Sequence, residues 1–387
     1  MADNSQKNGH VFHLEKHENI SPQKKSFWGL NSIICGCFTV LMSAILFFTF
    51  LFFSNNESDK PKLVTPRYFH SSVLLNDGRV LVTGGFVDEY EKMTNSAEIY
   101  NPKNNEFSPI NPMNTERARH SSILLPNGKV LIIGGDKTGK SCEIFTPEDN
   151  SFSAFKDSNY IHKFGNIAKL PNGNFLLLGG SLKNNDCIHN EIFNVKTNSF
   201  EKITNLLVPL DYKVNIVSLS EEYNLFARSY ALSQKDFLIN YNDKLKKFYF
   251  EDIKSEKAHS YWFSNAISFN KDKILIFLAS GSKLSPIIYD IKTKSVVNIN
   301  EYILPMYNIV FVKRDNCVYL IGGCVLEGKI NGVDVFDMEK YKFTTIKTNY
   351  KSKAGHSAIL LKNNKILLIG GYNPYLKNKI NKTCEII

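Results

Sequence analysis

The sequence has no block of five or more basic residues, no closely paired cysteines of zinc-site spacing and no dense cysteine framework. Each absence excludes a class. Lys and Arg number 47 against 37 Asp and Glu, a net charge of +10, but the basic residues are scattered through polar stretches. That pattern reads as a solvated surface, and no nucleic-acid partner is expected. The seven cysteines are Cys35, Cys37, Cys142, Cys187, Cys317, Cys324 and Cys384. Their spacing fits neither a structural zinc site nor a disulfide-stapled scaffold, so free buried thiols are expected. No cofactor is expected either.

Charge is also missing from residues 26–56, and Ile33 to Phe53 is almost continuously apolar. A helix needs about 20 such residues to cross a bilayer. Residues 28–54 are therefore expected to form a transmembrane helix in contact with lipid. A cleaved signal peptide is disfavoured by the polar lead, by the length of the apolar run and by the lack of a small-x-small site after Phe53. Residues 1–27 read as a polar, disordered tail and 55–61 as a linker. Lys24 and Lys25 place the tail in the cytoplasm by the positive-inside rule, which puts the bulk of the chain on the extracytoplasmic side of a single-pass protein.

What is present is a repeat. The segment RYFHSSVLLNDGRVLVTGG, Arg67 to Gly85, returns as RARHSSILLPNGKVLIIGG, Arg117 to Gly135. Looser copies end at Gly180, Gly323 and Gly371. Each copy is an apolar strand, a tight Asp-Gly or Asn-Gly type turn and a second apolar strand. Near-continuous Val, Ile and Leu suits strands covered on both faces. A second marker is an aromatic residue with an apolar one seven positions later: Tyr100 and Phe107, Phe145 and Phe152, Phe193 and Phe200, Tyr241 and Phe248, Tyr289 and Val296, Phe336 and Phe343. It reveals two further repeats in which Gly-Gly has become Arg228-Ser229 and Ser280-Gly281, for seven in all.

These residues resemble the kelch repeat, and the H-S-x-x-L-L, V-L-x-x-G-G and E-I-Y elements resemble its galactose-oxidase-type branch. The resemblance spans residues 62–387. It implies an all-β, seven-bladed propeller with four-stranded blades, closed by an N-terminal outer strand, Lys62 to Thr65, in the last blade. Three first strands begin with His70, His120 and His356. As residues that recur with the blade they read as braces more than as metal ligands. The recurring carboxylates Glu98, Glu143, Glu191, Asp334 and Glu385 need buried partners, with Arg67, Arg117 or the histidines as candidates.

Positions that differ between blades at constant geometry are the candidates for recognition. The resemblance puts Arg67, Arg117, His162, Tyr261 and Lys353 on loops leading into innermost strands, where the central channel opens. Asp136, Arg228 and Tyr372 follow second strands on the same face. Loops on a rigid scaffold are the usual home of binding. The expected function is a membrane-anchored, non-catalytic interaction module for a protein or peptide, with an anionic carbohydrate as another ligand. The alternative is a carbohydrate-active enzyme resembling sugar mutarotases or epimerases, or less closely galactose oxidase. The radical-copper enzymes use a tyrosine cross-linked to cysteine with further tyrosine and histidine ligands, and no Cys and Tyr pair matches that motif.

Overall fold

The computed structural model describes residues 60–162, 166–178, 190–203, 216–218, 225–228, 236–242, 247–252, 263–280, 283–303, 309–323, 332–348, 354–373 and 379–387. The expected membrane helix, residues 28–54, and the tail before it lie outside them. Among the described residues there is no helix, and so none long and apolar enough to cross a membrane.

Each hairpin seen in the sequence is the inner half of one antiparallel sheet. Six sheets have four strands in simple up-and-down order, over residues 71–110, 121–155, 166–203, 216–252, 263–298 and 310–347, here blades 1 to 6. A seventh sheet, residues 357–386, has three. The second strands are the driest. Val80–Thr83, Val130–Ile133, Phe175–Leu178 and Ile366–Ile369 are buried at every position, because each is covered by a neighbouring blade on both faces. Alternate side chains consequently feed two different wedges of core. Leu81 packs between blades 1 and 2 with Val130, Ile132 and Phe145. Val80 and Val82 point the other way, onto Leu367 and Ile369 of the seventh sheet. The aromatic marker is a cross-strand pair in the outer half of the blade: the rings of Tyr100 and Phe107 lie 5.0 Å apart, those of Phe145 and Phe152 4.9 Å, those of Phe336 and Phe343 5.0 Å.

The paired glycines exist because of the next blade. Gly84 has φ +58°, and a Cβ there would lie 2.3 Å from the Arg117 carbonyl oxygen and 2.8 Å from His120 Cε1. Gly370 meets Arg67 and His70 in the same way. Backbone bonds Gly85 N to Arg117 O (2.9 Å), Gly135 N to His162 O (3.1 Å) and Gly371 N to Arg67 O (2.9 Å) fasten each of these sheets to its successor.

The expectation of seven four-stranded blades closed by an N-terminal strand is corrected: the propeller has six four-stranded blades, the remaining sheet has three strands, and the N-terminal segment does not complete it as a strand. Leu63 is buried and its N–H bonds Lys382 O at 2.8 Å, but the pairing is a single bridge, Lys62 to Thr383. The ladder stops because the next two N–H groups, of Val64 and Thr65, are taken by the Glu98 carboxylate at 2.8 and 2.9 Å. No sheet ladder closes the ring; the seventh sheet and blade 1 share a core cluster that includes Leu63, Val80, Val82, Leu367 and Ile369.

Candidate functional site

Three of the residues expected at the channel mouth, Arg67, Arg117 and His162, are buried and committed to a carboxylate of the blade that follows them. Arg67 is fully buried; its Nη2 bonds Glu98 Oε1 at 2.7 Å and Ser96 Oγ at 2.9 Å, and its Nη1 bonds the Gly84 and Ser96 carbonyls. Arg117 repeats this with Glu143 Oε1 (2.7 Å), Gly134 O and Ser141. In blade 3 His162 Nε2 sits 2.7 Å from Glu191 Oε1. Each carboxylate also accepts two backbone N–H groups from the loop ahead of its blade: Val64 and Thr65, Asn114 and Thr115, Asn159 and Tyr160. A charge-assisted pair plus two backbone donors satisfies a buried carboxylate. Burial pulls the Arg67 guanidinium down and Glu98 pushes it back. The carboxylates thus have the partners the sequence required of them.

The histidines brace the same joints. His120 Nε2 meets Thr83 Oγ1 at 2.9 Å, His70 Nε2 meets Ser357 Oγ at 2.8 Å, and His356 Nε2 donates to the Ile321 carbonyl at 3.1 Å. Burial first, then Arg67 and His356, drives His70 down to about 3, and burial with Arg117 drives His120 well below its ordinary value, so both rings are neutral. Asp136 is buried and turned onto Thr138 through Oδ2, whose hydrogen bonds outweigh the burial that would raise it. Arg228 ends the second strand of blade 4 opposite Asp236. Tyr261 and Lys353 lie outside the described residues.

Tyr372 alone of the expected set joins an aromatic cluster with a buried centre, Tyr68 and Phe86, and a partly exposed edge, Phe69 and Tyr372, and its companions were not foreseen. Tyr68 stacks on Tyr372 with centroids 5.1 Å apart and packs on Phe69 and Phe86 at 5.5 and 5.3 Å. The Arg119 guanidinium lies 4.7 Å over the Phe69 ring and 5.0 Å over Phe86, and its Nη2 holds Glu91 Oε1 at 2.7 Å. Tyr68 donates its hydroxyl to Asp88 O; burial, then Glu91, raises the phenol to about 12, so it stays protonated. This patch spans the inner ends of the seventh sheet and of blades 1 and 2.

Its backbone is strained. Phe69, Glu91 and Arg119 have φ of +52°, +59° and +56°. The other non-glycine residues in this region of φ, among them Asn105, Asn150 and Asn364, sit in the recurring strand turns. Left-handed phenylalanine, glutamate and arginine cost roughly 1–2 kcal/mol each, and such strain concentrates at functional sites. The distortion is held by a chain of bonds, Phe69 N to Gly355 O at 2.7 Å and Arg119 N to Phe69 O at 2.9 Å, which runs around the channel mouth. The signal was legible in principle. Gly355 stands third in Lys353–His356, where the related segments carry Phe69 and Arg119, and a glycine there advertises positive φ.

Residues 66–114 match the Kelch motif family model. No curated protein matches. Among solved structures, a fungal alcohol oxidase of the AA5 family, in complex with copper, superposes with a TM-score of 0.65 at 14% identity, covering 84% of this chain and 74% of that one. The chain is a kelch-motif-bearing β-propeller of galactose-oxidase-like fold. The expectation of a purely non-catalytic binding module is corrected here: the solved structure that the propeller resembles is an enzyme. At this identity the likeness itself carries the fold alone. The copper of that enzyme does not fit the side chains described here. No three His, Cys, Asp or Glu gather among the described residues, and His70, His120 and His356 each spend Nε2 on a protein partner.

Proposed function

We propose that the propeller is a carbohydrate-active enzyme doing redox-neutral acid–base chemistry at a sugar hemiacetal, at the patch of Tyr68, Phe69, Phe86, Glu91, Arg119 and Tyr372. The carrying observation is the convergence of the three strained residues on one arginine–carboxylate pair lying over aromatic rings. The partly exposed rings of Phe69 and Tyr372 offer the edge against which the apolar face of a pyranose would rest. An arginine and a carboxylate in contact accept and donate to a pair of hydroxyls. In the proposed reaction Glu91 removes the anomeric hydroxyl proton as the bond from C1 to the ring oxygen breaks. The ring oxygen takes a proton from the partly exposed Tyr372 phenol, and Arg119 holds the developing carbonyl oxygen. Rotation about C1–C2 and reversal of the transfers give the other anomer. No electrons leave the sugar and no cofactor is required.

Anomer exchange of aldoses followed by NMR tests this directly. The full chain should accelerate exchange of at least one sugar. Glu91→Gln or Arg119→Ala should lower that rate by about 10²-fold or more with the melting temperature within a few degrees of the parent. A panel of aldoses exchanging at the buffer rate would overturn the reading.

We further propose that residues 28–54 anchor the propeller to a bilayer on its extracytoplasmic side, on the strength of the uncharged run. Alkaline carbonate should leave the intact chain in the membrane pellet; release of uncleaved protein would refute the anchor.

A further inference from the structure

The loop between the second and third strands of blade 1 is fastened on both sides yet leaves Glu89 to Lys92 exposed, with Glu89 and Glu91 tied to other loops and Tyr90 tied to none among the described residues. It is a small hairpin with a Phe86 to Met93 bridge and a Val87 N to Lys92 O bond of 3.0 Å. Asp88 Oδ1 accepts the N–H groups of Tyr90 and Lys92. Glu91 ties the loop to Arg119 of blade 2, and Glu89 ties it to Lys379 at 2.5 Å. Tyr90, between the two glutamates, is 93% exposed, the most exposed of the large hydrophobic side chains among the described residues.

We infer that Tyr90 is an acceptor site for a tetrahedral anion, a phosphoryl or sulfuryl group transferred from a nucleotide donor. Three features favour it. The phenol is presented on an ordered loop, so a transferase meets it without unfolding anything. Asp88, Glu89 and Glu91 place acids on both sides, the flank that a basic transferase surface, built to hold an anionic donor, attracts. A cation stands ready nearby: Lys379 is raised by Glu89 first, and Tyr372 and Tyr90 contribute through their charge. In the transfer the Tyr90 oxygen attacks phosphorus or sulfur and forms the new ester bond. The bond to the departing nucleotide breaks, and the phenolic proton goes to the transferase base. The new charge repels Glu89 and Glu91 and competes for Lys379, which loosens both ties of the loop. The inference does not depend on the sugar chemistry proposed above.

Tyr302 and Tyr341 are internal controls, at 58% and 42% exposure. Tyr302 lies under Lys283 Nζ, 4.3 Å from its ring, and Tyr341 stands between Lys340 and Lys342. The purified full chain is incubated in one arm with ATP and an acid-directed tyrosine kinase. In the other it receives 3′-phosphoadenylyl sulfate and a tyrosylprotein sulfotransferase. Labelled tyrosines are then mapped by peptide mass spectrometry, with phosphatase sensitivity separating the two esters. In one arm Tyr90 should be labelled at least tenfold faster than Tyr302 or Tyr341, and Tyr90→Phe should abolish that signal; the arm that labels it identifies the donor. Equal labelling of the three tyrosines, or none on Tyr90 in both arms, overturns the proposal.

Discussion

Blades 1 to 3 and blades 4 to 6 solve one structural problem in opposite ways. Two residues before the aromatic marker, the first three blades carry Glu98, Glu143 and Glu191, each buried, the first two paired with an arginine and the third with His162. Blades 4 and 5 carry Ile239 and Ile287 there, and blade 6 carries Asp334, whose oxygen accepts only Thr345 Oγ1 at 2.6 Å among the described residues. Both versions belong to four-stranded sheets of the same order. The carboxylate is therefore not what makes a blade. It grips the incoming loop through two backbone N–H groups, and it needs a cation because a buried carboxylate without one is expensive. An aliphatic side chain needs no such support and gives no such grip.

Breaking one half of a pair should show this most strongly. Arg67→Ala leaves Glu98 buried without its cation, and unfolding in denaturant should report a loss of about 3–5 kcal/mol. A loss under 1 kcal/mol would mean that water reaches the site and the pair is ornamental. A smaller effect of opposite sign is expected in blade 6. Burial raises the Asp334 carboxyl above its ordinary value, so the folded state holds that proton more tightly than the unfolded chain does. Stability from this group is then complete below the unfolded pKa and is lost as pH rises through the folded one. Asp334→Asn should match the parent near pH 3 and melt slightly higher at pH 7. A variant less stable at pH 7 would show that Asp334 has a cationic partner there after all.

The sequence disclosed the repeat, the all-β propeller, the aromatic pairs and the need of Glu98, Glu143 and Glu191 for buried partners, because each follows from periodicity or from the cost of burying charge; it overstated the count of four-stranded blades, which is six and not seven. It misled on Arg67 and Arg117, since variation at a fixed position looks the same whether the side chain points to solvent or into a joint. It misled on Lys62 to Thr65 for a related reason: the segment stands where an outer strand belongs, but the competing acceptor, Glu98, lies 34 residues from Val64 and is invisible to local pattern. Arg119 carries no mark in the repeat pattern, yet it is the third residue of Arg117–His120, and not the first, that the left-handed backbone places over the aromatic rings.

The clamp on Val64 and Thr65 also has a mechanical meaning. Tension transmitted through residues 55–60 would arrive at Lys60, which meets Glu385, and at Pro61 and Leu63, which hold Cys384 and Lys382 by one backbone bond each. Those contacts can peel one at a time. The next two N–H groups are gripped by a single carboxylate that Arg67 fixes in place, so the pull would have to rupture them together before it reached the first blade. Were the propeller anchored through residues 28–54 as proposed, Glu98 would act as a cleat, taking the load at the seam before it reached the first blade.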